Sequence, residues 1–263
     1  MRINDRTYFD EWRRALGSAR PFKCWPNFVA RNNHPTIRFS LEASAVYSSS
    51  IEGNSIDLNF FLNSKLDPAS RRFKAKERHE IEDLIAAYDF ARQHALNEKN
   101  LLSAHAKLSQ RLLPKSERGR YRRQLMFVYS QAGIEYAAVE PEFVVEKMAE
   151  LFADVAELRK ATLSVEEVFY RAALLHLVFV HIHPFQDGNG RAARLLEKWF
   201  LASQLGSTAW QIPAEQFYAE HRAEYYRNIK IGLNYYTLDY NRSVPFLAML
   251  PRAVESALEQ QRD

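Results

Sequence analysis

Glycine is scarce in this chain of 263 residues, which contains 8 glycines where average usage would give roughly twice as many. A sheet of many short strands needs glycine at its turns and bulges, so this shortage favours helix. Apolar residues recur at helical spacing in several segments, which are 37–51, 71–97, 103–113, 141–158 and the stretch that begins at Ser164. We therefore expect an all-α fold, a helical bundle.

One segment departs from this pattern. The β-prone runs 125–129 and 134–139 flank Ser130-Gln131-Ala132-Gly133, which is typical of a β-hairpin. Because two strands rarely stand by themselves, we expect this hairpin to be exposed and to serve a function.

The ends of the chain give weaker patterns. A short helix is expected at 11–15, and Pro21, Pro26 and Pro35 then predict an irregular lead-in to about residue 36. Near the other end, 191–204 predicts a helix, and the tail 214–250 predicts two more.

Composition excludes several classes of protein. The single cysteine, Cys24, rules out an internal disulfide framework and a multi-cysteine zinc site. The charged start of the chain does not resemble a secretion signal, and no apolar run approaches the roughly 18 residues of a membrane span. We therefore expect a cytoplasmic protein without membrane contact. The net charge of +4 permits acidic partners without requiring them.

The segment from His183 to Arg194 carries the clearest chemical signal, with the sequence His-Pro-Phe-Gln-Asp-Gly-Asn-Gly-Arg-Ala-Ala-Arg. Gly188 and Gly190 give the backbone freedom just before a helix, so successive N–H groups can converge at the positive end of the helix dipole. Arg191 and Arg194 are three residues apart and share a helix face, where two guanidinium groups can meet one anion. Together these features predict a polyphosphate site.

Two further residues suit chemistry on a phosphate. Asp187 is placed to hold a divalent cation together with phosphate oxygens, as carboxylates do in magnesium sites. His183 is a candidate general base, because imidazole titrates near neutral pH. Two alternatives stay open: the segment is only a tight turn with a solvated arginine face, or His181, His183 and Asp187 ligate the metal of a hydrolase.

The segment resembles, at every fixed position, the signature of Fic-domain proteins, His-x-Phe-x-Asp-Gly-Asn-Gly-Arg-x-x-Arg. The resemblance extends over roughly 39–250, including the stretch 105–122 and the hairpin, which is similar to the family's target-docking flap. It implies a Fic-type helical bundle that transfers AMP from ATP to a hydroxyl of a Ser, Thr or Tyr side chain in a target protein, with magnesium (Mg2+).

The resemblance also implies a role for each matching residue. His183 would be the catalytic base and Asp187 the magnesium ligand. Phosphate contacts would come from Gly188, Asn189, Gly190, Arg191 and Arg194. Adenine contacts would come from Tyr226 and Asn234, with Tyr225 as an alternative to Tyr226. Strand addition by the target would use the second strand of the flap, Tyr136, Ala137, Ala138 and Val139.

A second motif is Ser48-Ser49-Ser50-Ile51-Glu52-Gly53-Asn54. It is similar to the family's inhibitory helix, with Ser48 and Glu52 at the fixed positions, and on a helix these two project from one side. Glu52 would then pair with Arg194 where the γ-phosphate needs to bind, so we expect autoinhibition. The alternative is that the two residues merely end a surface helix.

These expectations divide the chain into an N-terminal region, 1–97, with the inhibitory helix at about 38–53, and a Fic catalytic core, 98–263. Relatives often dimerise, which makes a second copy a candidate partner. Removal of AMP from a modified protein and use of another nucleotide donor are alternative activities of the same site. From a different class, a nucleic-acid-binding regulatory module would use a basic run, Arg71, Arg72, Lys74, Lys76 and Arg78. Such a run is more often a solvated helix face.

Overall fold

A computed structural model describes residues 1–32, 37–66, 74–130 and 133–260 of the chain. Within these ranges the α-helices are Phe9–Ala15 (α1), Pro21–Arg31 (α2), Ile37–Ile51 (α3), Leu58–Asn63 (α4), Ala75–Gln93 (α5), Glu98–Leu108 (α6), Pro141–Leu158 (α7), Val165–Ile182 (α8), Asn189–Leu205 (α9), Ala214–Glu220 (α10), Arg222–Ile229 (α11), Val244–Leu247 (α12) and Met249–Gln260 (α13). Short 3-10 turns lie at Ser207–Gln211, Tyr235–Thr237 and Tyr240–Arg242. The strands are Phe127–Ser130 (β1) and Gly133–Ala137 (β2), which pair antiparallel with a bulge after Val128. The expected helical fold with one hairpin is confirmed.

The centre of the fold is α8, which is buried along almost its whole length and packs against α2, α7, α9, α12 and α13. Its start agrees with the stretch predicted to begin at Ser164 and is fixed by a capping box: the Ser164 hydroxyl accepts from the Glu167 amide, and the Glu167 carboxylate accepts from the Ser164 amide. The loop after α8 leads directly into α9, and these two helices form the most extensive helix pair of the described chain. The motif from His183 to Arg194 therefore joins the two helices with the most extensive mutual packing among the described residues.

The N-terminal helices join the same hydrophobic core. Trp12 of α1 and Val46 of α3 are buried in one continuous cluster with Phe169 of α8 and Leu196 of α9. The segment that carries Ser48 and Glu52 is thus the end of α3 and the residues just after it, and α3 packs on α5, α9 and α10. No helix of the described ranges is long and apolar enough to cross a membrane.

The prediction of an irregular lead-in is wrong, because residues 21–31 form α2. Pro21 lies in the first turn of α2, where backbone N–H groups have no partner within the helix, so its missing N–H costs nothing. Pro26 lies in the interior of the same helix. Burial decides the outcome: Trp25 stacks on Phe28 at 5.8 Å between ring centres and meets Phe169 of α8 edge-on at 6.1 Å. Tertiary packing overrides the local penalty of the proline. Pro35 lies outside the described residues.

Several boundaries also differ from prediction. The expected helix at 103–113 is displaced to α6, which begins earlier because the Asn97 side chain accepts from the Asn100 amide as a cap. The described part of the 71–97 helix is α5, since residues 71–73 lie outside the described ranges. The tail contains four helices where two were expected, and α9 begins two residues before Arg191.

Candidate active site

His183 ends α8 and opens the motif loop. It adopts the left-handed conformation, with φ of 52°, and its amide donates to Phe179 O. Its Nδ1 lies 3.1 Å from Val180 O. Because a carbonyl oxygen only accepts, Nδ1 must carry the hydrogen, which leaves the lone pair on Nε2. Burial lowers the pKa of His183 to about 4, so the ring is neutral at physiological pH and can accept a proton at Nε2.

Asn189 shapes the loop with its side chain. Its Oδ1 accepts from Phe185 N at 2.8 Å, and its Nδ2 donates to Phe185 O at 2.8 Å. The expected contribution of Asn189 to phosphate binding is therefore restricted to its backbone, because both polar atoms of its amide group already have partners. The side chain closes the loop, and Gly188, with φ of 80°, is the N-cap residue directly before α9.

His105 of α6 packs against the motif loop and bonds to it, a role that its sequence pattern did not predict. Its ring stacks on Phe185 at 3.5 Å between centres, its Nε2 donates to Asp187 O at 2.9 Å, and its Nδ1 accepts from Gly119 N at 3.0 Å. Gly119 has φ of 64°, and a Cβ there would lie 2.5 Å from Leu102 O. The only sequence signal for this bridge was a histidine upstream of a glycine turn.

Arg122 is the second residue that sequence reasoning missed. Its backbone amide donates to Pro184 O at 2.9 Å, and its Nε donates to His183 O at 2.7 Å. Its Nη2 donates to Val139 O at 2.5 Å, so this buried side chain joins the base of the hairpin to the motif loop. No local pattern signals such a link, because its partners lie up to 62 residues away.

Arg191 is placed to receive an anion at the start of α9. Its side chain is buried, yet neither Nε nor Nη1 has a hydrogen-bond partner within the described residues. A buried guanidinium without acceptors is costly unless a ligand supplies them. The helix dipole and the free amides of the first turn favour an anion at the same place.

Arg194, one turn further along, already donates four hydrogen bonds within the chain. Its Nε donates to Ser48 Oγ at 2.8 Å, and its Nη2 donates to Ser48 O at 3.0 Å and to Glu52 Oε1 at 2.7 Å. Its Nη1 donates to Tyr225 OH at 3.2 Å. Ser48 and Glu52, the two fixed residues of the second motif, thus meet Arg194 from 146 and 142 residues away in the chain.

Tyr225 is itself held by a buried relay. Its hydroxyl lies 3.0 Å from His176 Nε2, and His176 Nδ1 lies 3.0 Å from Glu197 Oε2. An ionised Glu197 carboxylate only accepts hydrogen bonds, so His176 Nδ1 carries the hydrogen. His176 Nε2 then accepts from the Tyr225 hydroxyl, and the Tyr225 oxygen is free to accept from Arg194. This relay holds Arg194 independently of Glu52.

Glu52 lies over the first turn of α9. A Cβ on Gly190 would overlap Glu52 Oε1, so the absent side chain at Gly190 is what admits this carboxylate. Partial burial of Glu52 opposes its ionisation, but the positive charge of Arg194 and its hydrogen bond outweigh this and hold the pKa of Glu52 below its usual range. Glu52 is therefore an anion that contacts Arg194 beside the first turn of α9.

A cavity of about 500 Å³ opens above these residues. Its lining includes Glu52, His183, Arg194, Tyr225 and Tyr226. Asn234 is not part of the lining: its Oδ1 accepts from the amides of Tyr236 and Thr237 as the cap of a 3-10 turn. Of the three adenine candidates, the structure brings the two tyrosines to the cavity and not Asn234.

Residues 95–201 match the family model described as the Fic/DOC family. The chain carries a Fic domain. A protein named protein adenylyltransferase fic-1 from Caenorhabditis briggsae is 27% identical over 192 residues, which are 69% of this chain and 34% of that protein. A protein adenylyltransferase Fic from Drosophila mojavensis is 45% identical over 61 residues, which are 23% of this chain and 11% of the relative. The chain thus spans about a third or less of the length of these relatives.

Solved structures share the fold of the Fic domain. A Fic family protein from Desulfovibrio desulfuricans gives a TM-score of 0.71 at 22% identity, over 97% of this chain and 74% of that one. Fic-1 from Caenorhabditis elegans gives 0.65 at 21% identity, over 96% and 71% of the two chains. The likeness extends well beyond 95–201 and includes the N-terminal helices.

The hairpin of the Fic domain is anchored at one end. The Ala137 amide donates to Leu233 O at 3.0 Å, and Ala138 N donates to Met126 O at 3.0 Å. Tyr136 and Val139 are buried, and Tyr136 OH donates to His181 O at 2.6 Å. Much of the expected docking segment 136–139 is therefore occupied within the chain, because the second strand continues into contact with residues 233–234.

The alternative of a metal hydrolase is not supported by the described residues, which contain no cluster of three or more His, Cys, Asp or Glu suited to a metal. His181 Nε2 instead lies 3.0 Å from Ile229 O. Asp187 is exposed beside the motif loop. A single exposed carboxylate fits a magnesium ion that arrives with phosphate oxygens, because such ions use one or two carboxylates and several waters.

Proposed function

We propose that this protein transfers AMP from ATP to a hydroxyl side chain of a target protein and releases pyrophosphate. The observation that carries the proposal is the buried Arg191 side chain, whose Nε and Nη1 have no acceptor among the described residues. It lies at the amide-rich start of α9, directly after the loop that begins at the neutral His183. The names of the curated relatives, protein adenylyltransferases, support the same activity.

The transfer would proceed by attack of the target hydroxyl on the α-phosphorus. His183 Nε2 would take the hydroxyl proton as the new oxygen–phosphorus bond forms and the bond from the α-phosphorus to the bridging oxygen breaks. A positioned base contributes about 10²- to 10⁴-fold to the rate. Arg191 and the amides of Gly188, Asn189 and Gly190 would bind the phosphate oxygens, and Arg194 would bind the γ-phosphate.

Asp187 would hold a magnesium ion against the phosphates, and the ion would supply charge neutralisation for the leaving pyrophosphate. Neighbouring atoms already orient the carboxylate: Oδ1 accepts from the Gly188 amide at 2.5 Å. The remaining oxygen of Asp187 is left for a ligand.

Glu52 would inhibit the transfer. Its carboxylate occupies the side of Arg194 that the γ-phosphate needs, so a bound nucleotide would place its α-phosphorus out of line with the incoming hydroxyl. A misplacement of about 1 Å reduces a rate on the order of a hundredfold. The position of Ser48 and Glu52 on a helix of the N-terminal region, 1–97, makes this an inhibition within one chain, acting on the catalytic region 98–263.

The target would dock along the hairpin. Tyr129 and Ile134 are exposed on it, at 66% and 57%. Because Ala137 is paired with Leu233, we place the strand addition nearer the tip of the hairpin than 136–139.

Tyr226 would contact the adenine, since it lines the cavity beside Arg194. We also propose that the protein is cytoplasmic and forms a homodimer.

Removal of AMP from a modified protein is a second candidate activity. It is favoured by the state of Glu52, which is ionised, 30% exposed and in the cavity that His183 also lines. Such a carboxylate can orient a water for attack on the phosphorus. Incubation of an AMP-modified protein with the wild type and with Glu52→Gly separates the two activities, because only removal of AMP needs Glu52.

Nucleic-acid binding has less support. Of the basic run, Arg71 and Arg72 lie outside the described residues, Lys74 Nζ donates to Ser55 Oγ at 2.7 Å, and Arg78 pairs with Glu82 at 2.8 Å. A mobility-shift assay at two salt concentrations tests this candidate.

The deciding experiment is intact-mass spectrometry after incubation with ATP and magnesium. We expect an added AMP on Glu52→Gly, either on itself or on a protein acceptor, and a weak signal on the wild type. The double variant Glu52→Gly, His183→Ala should give none. Glu146→Gly, at an exposed acid that does not line the cavity, should behave as the wild type. An active double variant would contradict the assignment of the base.

A further inference from the structure

Helices α3 and α9 run antiparallel, and polar contacts join them at intervals of four residues. Ser48 meets Arg194, and Ser44, one turn earlier on α3, meets Lys198, one turn later on α9. Glu52 meets Arg194 and overlies Gly190 at the other end of the series. Because four residues are close to one helical turn, the three contacts lie on facing sides of the two helices.

The contact furthest from the cavity is a buried cluster of four polar groups. Lys198 Nζ donates to Ser44 Oγ at 2.5 Å and to Glu215 Oε2 at 2.6 Å. Ser44 Oγ also donates to Glu215 Oε2 at 3.0 Å, and Tyr88 OH donates to Glu215 Oε1 at 2.7 Å. Lys198 and Glu215 are each 1% exposed, so the pair is hidden from solvent.

This cluster constrains where α3 can lie. Removing a partner from a buried ion pair is strongly unfavourable, and a shift of α3 by one turn would withdraw the Ser44 hydroxyl from both charges. The apolar contacts of α3 tolerate sliding better, since the hydrophobic effect is not directional. The cluster lies about 12 Å along α9 from Gly190, at eight residues of 1.5 Å each, and none of its residues lines the cavity.

We propose that Ser44 and Lys198 are positioning residues for Glu52: their buried contact with Glu215 fixes the register of α3 on α9 and so holds the inhibitory carboxylate against Arg194. This inference rests on the proposed function. It makes inhibition adjustable at a place that touches neither nucleotide nor target.

Ser44→Ala tests the inference, because it removes one hydroxyl and leaves the catalytic residues intact. We expect AMP transfer to rise about threefold to tenfold over the wild type, the scale set by the net loss of one typical hydrogen bond. Ser49→Ala is the matched control: Ser49 is on the same helix and fully buried, and its hydroxyl has no partner among the described residues. It should transfer AMP at the wild-type rate.

A double variant separates positioning from a general structural effect. In the Glu52→Gly background, Ser44→Ala should change the rate by less than about twofold, since there is no carboxylate left to position. An equal increase in both backgrounds, or none in Ser44→Ala alone, would overturn the inference. If Glu52→Gly itself transfers no AMP, the proposed function fails instead, and the two failures are distinguishable.

Hydrogen exchange gives a readout that does not depend on activity. Ser44→Ala should speed exchange of the Glu52 and Gly53 amides, which donate to Ser49 O and Ser50 O, while the amides of α8 stay protected. Loss of protection in α8 as well would indicate general unfolding. Unchanged exchange at residues 52–53 would contradict the positioning role.

Discussion

Replacement of Glu52 by Gln tests whether one guanidinium is shared between an inhibitory carboxylate and a phosphate. The side chains of the native pair differ in exposure, with Arg194 at 1% and Glu52 at 30%. Gln keeps a hydrogen-bond acceptor and removes the charge, and the difference between charged and neutral hydrogen bonds is about 1–1.5 kcal/mol. Because Arg194 also loses its counter-charge, we expect a total loss of stability of about 2 kcal/mol.

The same substitution should strengthen the response to nucleotide. Without ligand, a loss of about 2 kcal/mol lowers the unfolding midpoint by roughly 4–8 °C for a chain of this size. On the proposed function, ATP would bind only the folded state and stabilise it according to its affinity. With Arg194 released, a tenfold gain in affinity would add about 1.4 kcal/mol of stabilisation at saturating ATP. The variant should therefore regain most of the difference when ATP is present.

Thermal unfolding with and without ATP measures both effects, and Glu146→Gln serves as the control for loss of an exposed acid. Tripolyphosphate in place of ATP tests whether the phosphates alone account for the gain. The account of inhibition is refuted if Glu52→Gln has the same unfolding midpoint as the wild type and the same shift with ATP. Arg194 would then not be shared between Glu52 and a phosphate.

Three further predictions follow from the geometry. Transfer by the Glu52→Gly variant should stay nearly constant from pH 8 to pH 5.5. Burial lowers the pKa of His183 to about 4, so its imidazole becomes protonated only below that pH range. A rate that falls around pH 6.5 would contradict this prediction. Gly119→Ala should destabilise by several kcal/mol, whereas Gly17→Ala, at a similar positive φ with nothing within 4 Å of its Cβ, should lose only about 1–2 kcal/mol; equal midpoints in urea unfolding would show that the close approach is tolerated. Tyr225→Phe in the Glu52→Gly background should reduce AMP transfer about tenfold, since the relay no longer orients the arginine; unchanged kinetics would remove the relay from the mechanism.

The linkage between protonation and stability has a definite sign at His183. Its folded pKa is below the unfolded value near 6.5, so the folded state binds fewer protons between about pH 4 and pH 6.5. Its contribution to stability is present above pH 6.5 and is lost as the pH falls towards 4. His105 and His181 have the same shift from burial and should act in the same direction.

The local chemistry of this protein was readable in its sequence. The capping box at Ser164, the turn at Gly188 and the helix beyond it depend on neighbouring residues, so their spacing carries the information. The same holds for the motif from His183 to Arg194, which is one continuous segment. The match of Ser48 and Glu52 to a second short motif also located the residues that the structure brings to Arg194.

Features that depend on contacts between residues far apart in the chain were decided only by the tertiary structure. Pro26 is accepted inside α2 because Trp25 and its neighbours are buried, and His105 supports the motif loop from 82 residues away. The contact of Ser44 with Lys198 spans 154 residues. The physical reason is that a buried charge or hydroxyl is specified by the groups that surround it in space, and those groups leave no periodic trace in the chain.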